Sequence, residues 1–150
     1  MEQEKPQDVE KVAATWISSH VWSATRPRND SSRRRTLSEF RDEDAEANRH
    51  GFWACEAVDV MVRKEPEAAW SMILRLIELS PDDYVLASVA SGPLEDLLGL
   101  QAYAFIDRVE NQARQDAKFR RCLSGVWGWS SIPEDVQIRM RRAWEGADPL

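Results

Sequence analysis

The residues of this sequence best suited to chemistry are two pairs of carboxylates. Glu95 and Asp96 open a predicted helix, and Asp107 and Glu110, three residues apart, share one face of the next. Such pairs suit divalent metal binding or acid–base catalysis. A structural interpretation competes, because Glu95 and Asp96 complement a helix dipole and Glu110 can pair with Arg114 one turn later. We favour the structural interpretation, and we expect no enzyme, no metal and no cofactor.

The histidines and cysteines add no catalytic or metal-binding pattern. His20 and His50 are not spaced to join another histidine or a cysteine as ligands. Cys55 and Cys122 form no CxxC pair and lie among apolar residues at helical spacing, so we expect buried free thiols. The GxSxG, HExxH, GxGxxG and P-loop patterns are missing from the sequence. The sequence therefore favours a protein that acts by binding.

Apolar spacing places these residues on helices. Ser80-Pro81-Asp82-Asp83 and Gly92-Pro93-Leu94-Glu95 each contain a cap residue, a proline and an acid, which is typical of a helix start. Ser131 and Glu134 match a capping box. We expect helices over 52–63, 66–79 and 118–127, and a single core formed by Trp70, Ile73, Leu74, Leu97, Phe105, Ile106, Val109, Phe119, Leu123 and Val126.

The expected fold is all-α, a compact array of antiparallel helix hairpins, with a HEAT-like array as a candidate arrangement. We predict a single helical domain over 1–150. It comprises an N-terminal helix within 1–24, an Arg-rich loop or linker over 25–41 and a helical body over 42–150. The short break before Pro66 predicts that the helices on either side of it form one hairpin.

Charge and hydropathy restrict the location and the partner. The net charge is −6, with a basic segment over 26–41 and an acidic stretch over 42–117, which disfavours non-specific nucleic-acid binding. No apolar run approaches the roughly 18–20 residues of a membrane span. The acidic, polar N-terminus is unlike a secretory signal. We expect a cytoplasmic protein that does not enter membranes.

Our leading hypothesis is an inhibitor that neutralises a toxin or another effector by binding it, as immunity proteins and phage anti-defence proteins do. An acidic inhibitor suits a basic partner such as a nuclease or a defence effector, because complementary charge speeds encounter. Two acidic helix starts are expected at one edge, because successive hairpins would bring them together, beside an aromatic residue such as Tyr84 or Trp129. One ring of Trp127 and Trp129 is expected to be exposed, because both cannot easily point inward across the intervening glycine. The expected partner-binding residues are Asp82, Asp83, Tyr84, Glu95, Asp96 and Trp129.

The alternative hypothesis is nucleic-acid binding by clustered arginines, which would meet phosphates with positive charge. One cluster lies in the predicted loop and the other in the last helix. The residues are Arg33, Arg34, Arg35, Arg139, Arg141 and Arg142. The oligomeric state is left open by the sequence.

The central block resembles a bacterial family annotated only as a domain of unknown function. The resemblance rests on Gly92-Pro93-Leu94-Glu95-Asp96-Leu97-Leu98, Phe105-Ile106-Asp107-Arg108-Val109-Glu110, Phe119-Arg120-Arg121 and Val126-Trp127. It covers about 52–144, and Pro66 and Trp70 also fit the pattern. The resemblance implies a small helical bacterial protein and brings no established activity.

Overall fold

The computed structural model describes residues 8–25 and 36–150, and these residues form helices and no strand. The all-α prediction is confirmed; the HEAT-like arrangement stays a prediction. The helices are α1 (Val9–Thr25), α2 (Leu37–Arg49), α3 (Phe52–Lys64), α4 (Pro66–Leu79), α5 (Asp83–Val89), α6 (Glu95–Gln115), α7 (Ala117–Leu123) and α8 (Glu134–Ala143). A π-helical turn over Ala90–Leu94 joins α5 to α6, and a 3₁₀ turn over Trp129–Ser131 precedes α8.

The hairpin predicted around Pro66 is formed by α3 and α4, which pack against each other. Glu65 is the only residue between the two helices, and its backbone N–H donates to the carbonyl of Met61 at 2.7 Å. Pro66 occupies the first helical position, where a missing N–H costs nothing and the fixed φ favours the helix. The predicted boundaries of α4 are confirmed.

The segment after α4 starts its helix later than predicted. Asp82, not Ser80, caps α5, because its Oδ1 accepts from the N–H of Val85 at 2.9 Å. The Ser80 hydroxyl instead donates to the carbonyl of Leu76 at 2.7 Å and closes the end of α4. Further on, the two helices expected after Gly92 meet at Gln101, whose backbone is not helical (φ −135°, ψ 35°), and α6 comprises both of them across this kink.

The chain between α7 and α8 also differs from the prediction. α7 ends at Leu123, so Trp127 lies in a loop. The predicted capping box of Ser131 is wrong, since the Ser131 hydroxyl donates to the carbonyl of Gly128 at 3.1 Å. Ile132, which precedes a proline, is extended (φ −105°, ψ 128°) and therefore cannot form the first helical turn.

A capping box does form at α2, inside the predicted linker. The Thr36 hydroxyl accepts from the N–H of Glu39 at 3.3 Å, and Glu39 Oε2 accepts from the N–H of Thr36 at 2.8 Å. Residues 37–41 are therefore helical, and the linker predicted over 25–41 extends too far toward the C-terminus.

The predicted core residues are buried together, except that Leu74 is half-buried against them. The first helix also contributes to this core. Val12, Ala13 and Trp16 of α1 are buried, and α1 packs on α3, α4 and α5. α1 therefore covers part of the core and packs against α3, one of the helices that carry the candidate site.

Candidate protein-binding site

The first acidic pair is used within the fold. Asp82 caps α5, and Asp83 forms an ion pair with Arg121 in which Nη2 donates to Oδ2 at 2.7 Å. The Arg121 guanidinium lowers the pKa of the Asp83 carboxyl. The neighbouring Tyr84 is exposed. The carboxylates of this pair therefore already have intramolecular partners.

The second acidic pair lies at the start of α6, separated from the first pair by α5 and the π-helical turn over Ala90–Leu94. Oε1 of Glu95 accepts hydrogen bonds from the backbone N–H groups of Trp127, at 2.8 Å, and of Gly128. A Cβ at position 128 would lie 2.5 Å from Cδ of Glu95, so the glycine is what lets the carboxylate approach. The common edge expected for the two acidic pairs stays a prediction.

Asp96 opens onto a groove between α3 and α6, which we call the α3–α6 groove. It has a volume of about 380 Å³ and contains three carboxylates, one arginine and apolar side chains. Its lining residues are Asp59, Val62, Arg63, Glu95, Asp96, Gly99, Leu100 and Ser131. The groove thus combines an apolar wall with an excess of negative charge.

The electrostatics of the groove are unfavourable to the negative charge of Asp96. The pKa of Asp96 is raised, chiefly by burial and then by the negative charges of Asp59 and Glu95, while Arg63 opposes the shift. Over residues 8–25 and 36–150, no ion pair involves Asp59 or Asp96. Their charges therefore remain available to a positively charged group from outside.

Of the two tryptophans that flank Gly128, the exposed one is Trp127, whereas the expected partner-binding residue is Trp129. The side chain of Trp127 is 78% exposed. Trp129 is half-buried against Trp144, with ring centroids 5.6 Å apart, and the guanidinium of Arg141 lies 5.1 Å from the centroid of the Trp129 ring. Trp127 therefore takes the place that the sequence assigned to Trp129 as the aromatic beside the acidic groups.

Two further exposed side chains follow the groove along α6. Leu100 is 58% exposed, and Tyr103, one turn later, is 65% exposed with its hydroxyl donating to Oδ1 of Asp135 at 3.0 Å. Glu95 links α6 to the loop of Trp127, so these side chains all lie on α6 or on the loop that α6 holds. We call this region the Trp127 surface; its residues are Glu95, Asp96, Leu100, Tyr103 and Trp127.

The arginines of α8 are only partly free. Arg139 binds both carboxylates of the second predicted pair: Nη2 lies 2.5 Å from Oδ1 of Asp107, and Nε lies 3.1 Å from Oε1 of Glu110. The predicted pairing of Glu110 with Arg114 is wrong, since Arg114 donates to the side chain of Asn111.

Of the other arginines assigned to nucleic acid, Arg141 covers the Trp129 ring and Arg142 is exposed. Arg33, Arg34 and Arg35 lie outside the described residues. The structure therefore leaves Arg142 as the α8 arginine of this set that neither pairs with an acid nor stacks on a ring.

His20, Cys55 and Cys122 pack within the fold. His20 stacks on Trp16 and its Nδ1 lies 2.9 Å from the carbonyl of that residue, and burial lowers its pKa. Cys122 is buried and free, as predicted, and burial raises its pKa to about 12. Cys55 is only half-buried. No cluster of potential metal ligands occurs among the residues that the structure describes.

Comparison with known proteins gives a family and no further relatives. Residues 41–148 match the model of a family described as a family of unknown function, DUF6869. No curated protein and no solved structure matches the chain. In the described part of the chain, no helix has both the length and the apolar character that a membrane crossing requires.

Proposed function

We propose that this chain, which belongs to the family of unknown function DUF6869, binds another protein through its Trp127 surface and inhibits that partner by covering it. The observation that supports this proposal best is the exposure of Trp127 on a backbone fixed by Glu95. Tryptophan and tyrosine are enriched among the residues that dominate binding energy at protein interfaces. An apolar ring this large gains most when a partner removes it from water.

The fixed backbone matters because ordering a loop on binding costs free energy. Glu95 holds two successive N–H groups of the loop, so the position of Trp127 is set before any partner arrives. The neighbouring Leu100 and Tyr103 extend the contact area along α6. Exposed apolar residues next to a charged groove favour a protein partner, whose interface has an apolar centre and a polar rim.

Inhibition of a basic effector is the activity that the charge favours. The chain carries a net charge of −6, and in the groove at the Trp127 surface Asp59 and Asp96 form no ion pair with any described residue. Opposite charge on the partner would accelerate association, which suits an inhibitor that must act before its target does. The nucleic-acid alternative is weaker, because Arg139 is paired with two acids and Arg141 lies on a ring.

The experiment compares three tagged proteins expressed in cells of the source organism: wild type, Trp127→Ala and Leu37→Ala. Leu37 is the matched control, because it is also 78% exposed but belongs to α2. We expect quantitative mass spectrometry to find a protein that is retained by wild type and Leu37→Ala and lost with Trp127→Ala. That protein, purified, should lose its activity when one equivalent of the wild-type chain is added.

Two results would contradict the proposal. Capture of the same proteins by wild type and Trp127→Ala would show that this surface is not used. Full activity of the captured protein in an excess of the wild-type chain would show binding without inhibition.

A further inference from the structure

We infer that the α3–α6 groove receives an arginine side chain of the partner protein, with the guanidinium between Asp59 and Asp96. This inference rests on the proposed function, since it specifies which chemical group of the partner enters the groove beside the Trp127 surface. The occupant is argued from charge complementarity, from the apolar wall and from a second site in the same molecule.

Charge complementarity is the first argument. Asp59, Glu95 and Asp96 face Arg63 alone, so the groove has an uncompensated negative charge. Partial burial and the two neighbouring carboxylates raise the pKa of Asp96, so its charged form is disfavoured in the groove although Arg63 opposes the shift. A cation bound from outside removes this repulsion, and the energy released contributes to binding.

Arg139 of α8 already neutralises two other carboxylates of α6. Its guanidinium binds Asp107 and Glu110 together, because the planar fork presents several N–H donors in fixed directions. Asp59 and Asp96 offer carboxylates from two neighbouring helices without such a partner. An arginine from another protein can make in this groove the type of contact that Arg139 makes within the chain.

The apolar wall is the third argument. Val62 and Leu100 both line the groove, and Val62 is buried whereas Leu100 is exposed. Arginine has a three-carbon stem that packs along apolar surface while its head group stays with polar partners. The groove volume of about 380 Å³ lies in the range of sites that enclose small ligands, roughly 300–1,000 Å³. The groove therefore suits both parts of this side chain.

The test uses two blocked peptides, acetyl-Gly-Arg-Gly-amide and its citrulline counterpart, which keeps the shape and loses the charge. Each is titrated into the ¹⁵N-labelled wild-type protein, and backbone amide shifts are followed by NMR. We expect the arginine peptide to shift the signals of Asp59, Asp96 and Leu100, with a dissociation constant on the order of 1 mM. The citrulline peptide should bind at least about fivefold more weakly, the effect of about 1 kcal/mol of ion pairing.

Variants locate the effect. Asp96→Asn should weaken binding of the arginine peptide about fivefold. Glu46→Gln is the matched control, because it removes one exposed carboxylate from α2 and changes the net charge equally. The control should bind as wild type does.

Several outcomes would overturn the inference: equal binding of the two peptides, equal weakening by Glu46→Gln, or amide shifts confined to residues away from the groove. If the groove fails these tests while Trp127→Ala still abolishes capture of the partner, the proposed function stands and only the occupant is wrong. If arginine binds the groove but Trp127→Ala changes nothing, the proposed function alone is wrong.

Discussion

Two acidic clusters on α6 have the same residue types and opposite surroundings. Asp107 and Glu110 are neutralised by Arg139, which reaches them from α8. Asp96, about three to four turns earlier, faces the carboxylates of Asp59 and Glu95. The comparison teaches that carboxylates on one helix become structural or available for binding according to the element packed opposite them. We refer to them as the closed cluster and the open cluster.

Glu95 is the member of the open cluster that also makes hydrogen bonds to another part of the chain. One of its oxygens holds the loop of Trp127, while Asp59 and Asp96 have no such role. The members of the open cluster therefore differ: breaking the contact of Glu95 should lower the free energy of unfolding, whereas removing the charge of Asp96 should raise it.

The largest expected effect comes from Gly128→Ala. The new Cβ would lie 2.5 Å from Cδ of Glu95, so the carboxylate must leave the N–H groups of Trp127 and Gly128. Losing these charged hydrogen bonds should lower the free energy of unfolding by about 2 kcal/mol, measured by urea denaturation. Gly99→Ala is the control, because its Cβ would meet Ser131 at 3.4 Å. Equal stability of Gly128→Ala and wild type would show that Glu95 does not fasten the loop.

A smaller effect is expected when the closed cluster is opened by Arg139→Met. Asp107 and Glu110 would then lose their shared cation, and the free energy of unfolding should fall by less than in Gly128→Ala, since the pairs are partly exposed to solvent. The loss should shrink in high salt. Arg142→Met, on the same helix and exposed, should change stability by less. If both variants were equally stable, the distinction between the two clusters would have no energetic basis.

The smallest effect is a gain, in Asp96→Asn. Because the pKa of Asp96 is raised in the folded state, the wild type binds more protons folded than unfolded between the ordinary value, 3.8, and the raised one. Its stability therefore falls as the pH rises through this interval, and the loss persists at neutral pH. Asp96→Asn should remove this loss and be more stable at pH 7 by roughly 0.5 kcal/mol after solvent screening.

Thermal or urea unfolding at pH 3 and at pH 7 measures this difference. The advantage of Asp96→Asn over wild type should be present at pH 7 and should vanish at pH 3, where the carboxyl is protonated. A variant that is less stable than wild type at pH 7 would mean that Asp96 has a stabilising partner, and the cluster would then be closed.

Local sequence rules predicted the helices well and failed where two rules compete. Thr36 and Glu39, like Ser131 and Glu134, have the spacing of a capping box, and only the first pair forms one. The second fails because Ile132 precedes a proline, which forces it out of the helical region. The first could have been found in the sequence, yet the surrounding polar and basic residues indicated a linker.

The candidate site was predictable only in part, because its contacts join distant segments. Glu95 and Asp96 were identified as helix-start acids, but their loop contact and their groove depend on residues more than 30 positions away. Arg139 displaces the local pairing of Glu110 with Arg114 for the same reason. The choice between Trp127 and Trp129 depended on the packing of Trp144, which spacing alone does not contain.

The position of α1 determines how the protein can be shortened. The family match begins at residue 41, whereas Trp16 and Val12 of α1 fill the core against α3, α4 and α5. A fragment over 41–148 would keep every residue of the groove and lose this cover. Its uncovered apolar face would invite self-association, as large exposed apolar patches do. Aggregation of such a fragment would therefore reflect a missing wall of the core and would say nothing about the binding surface.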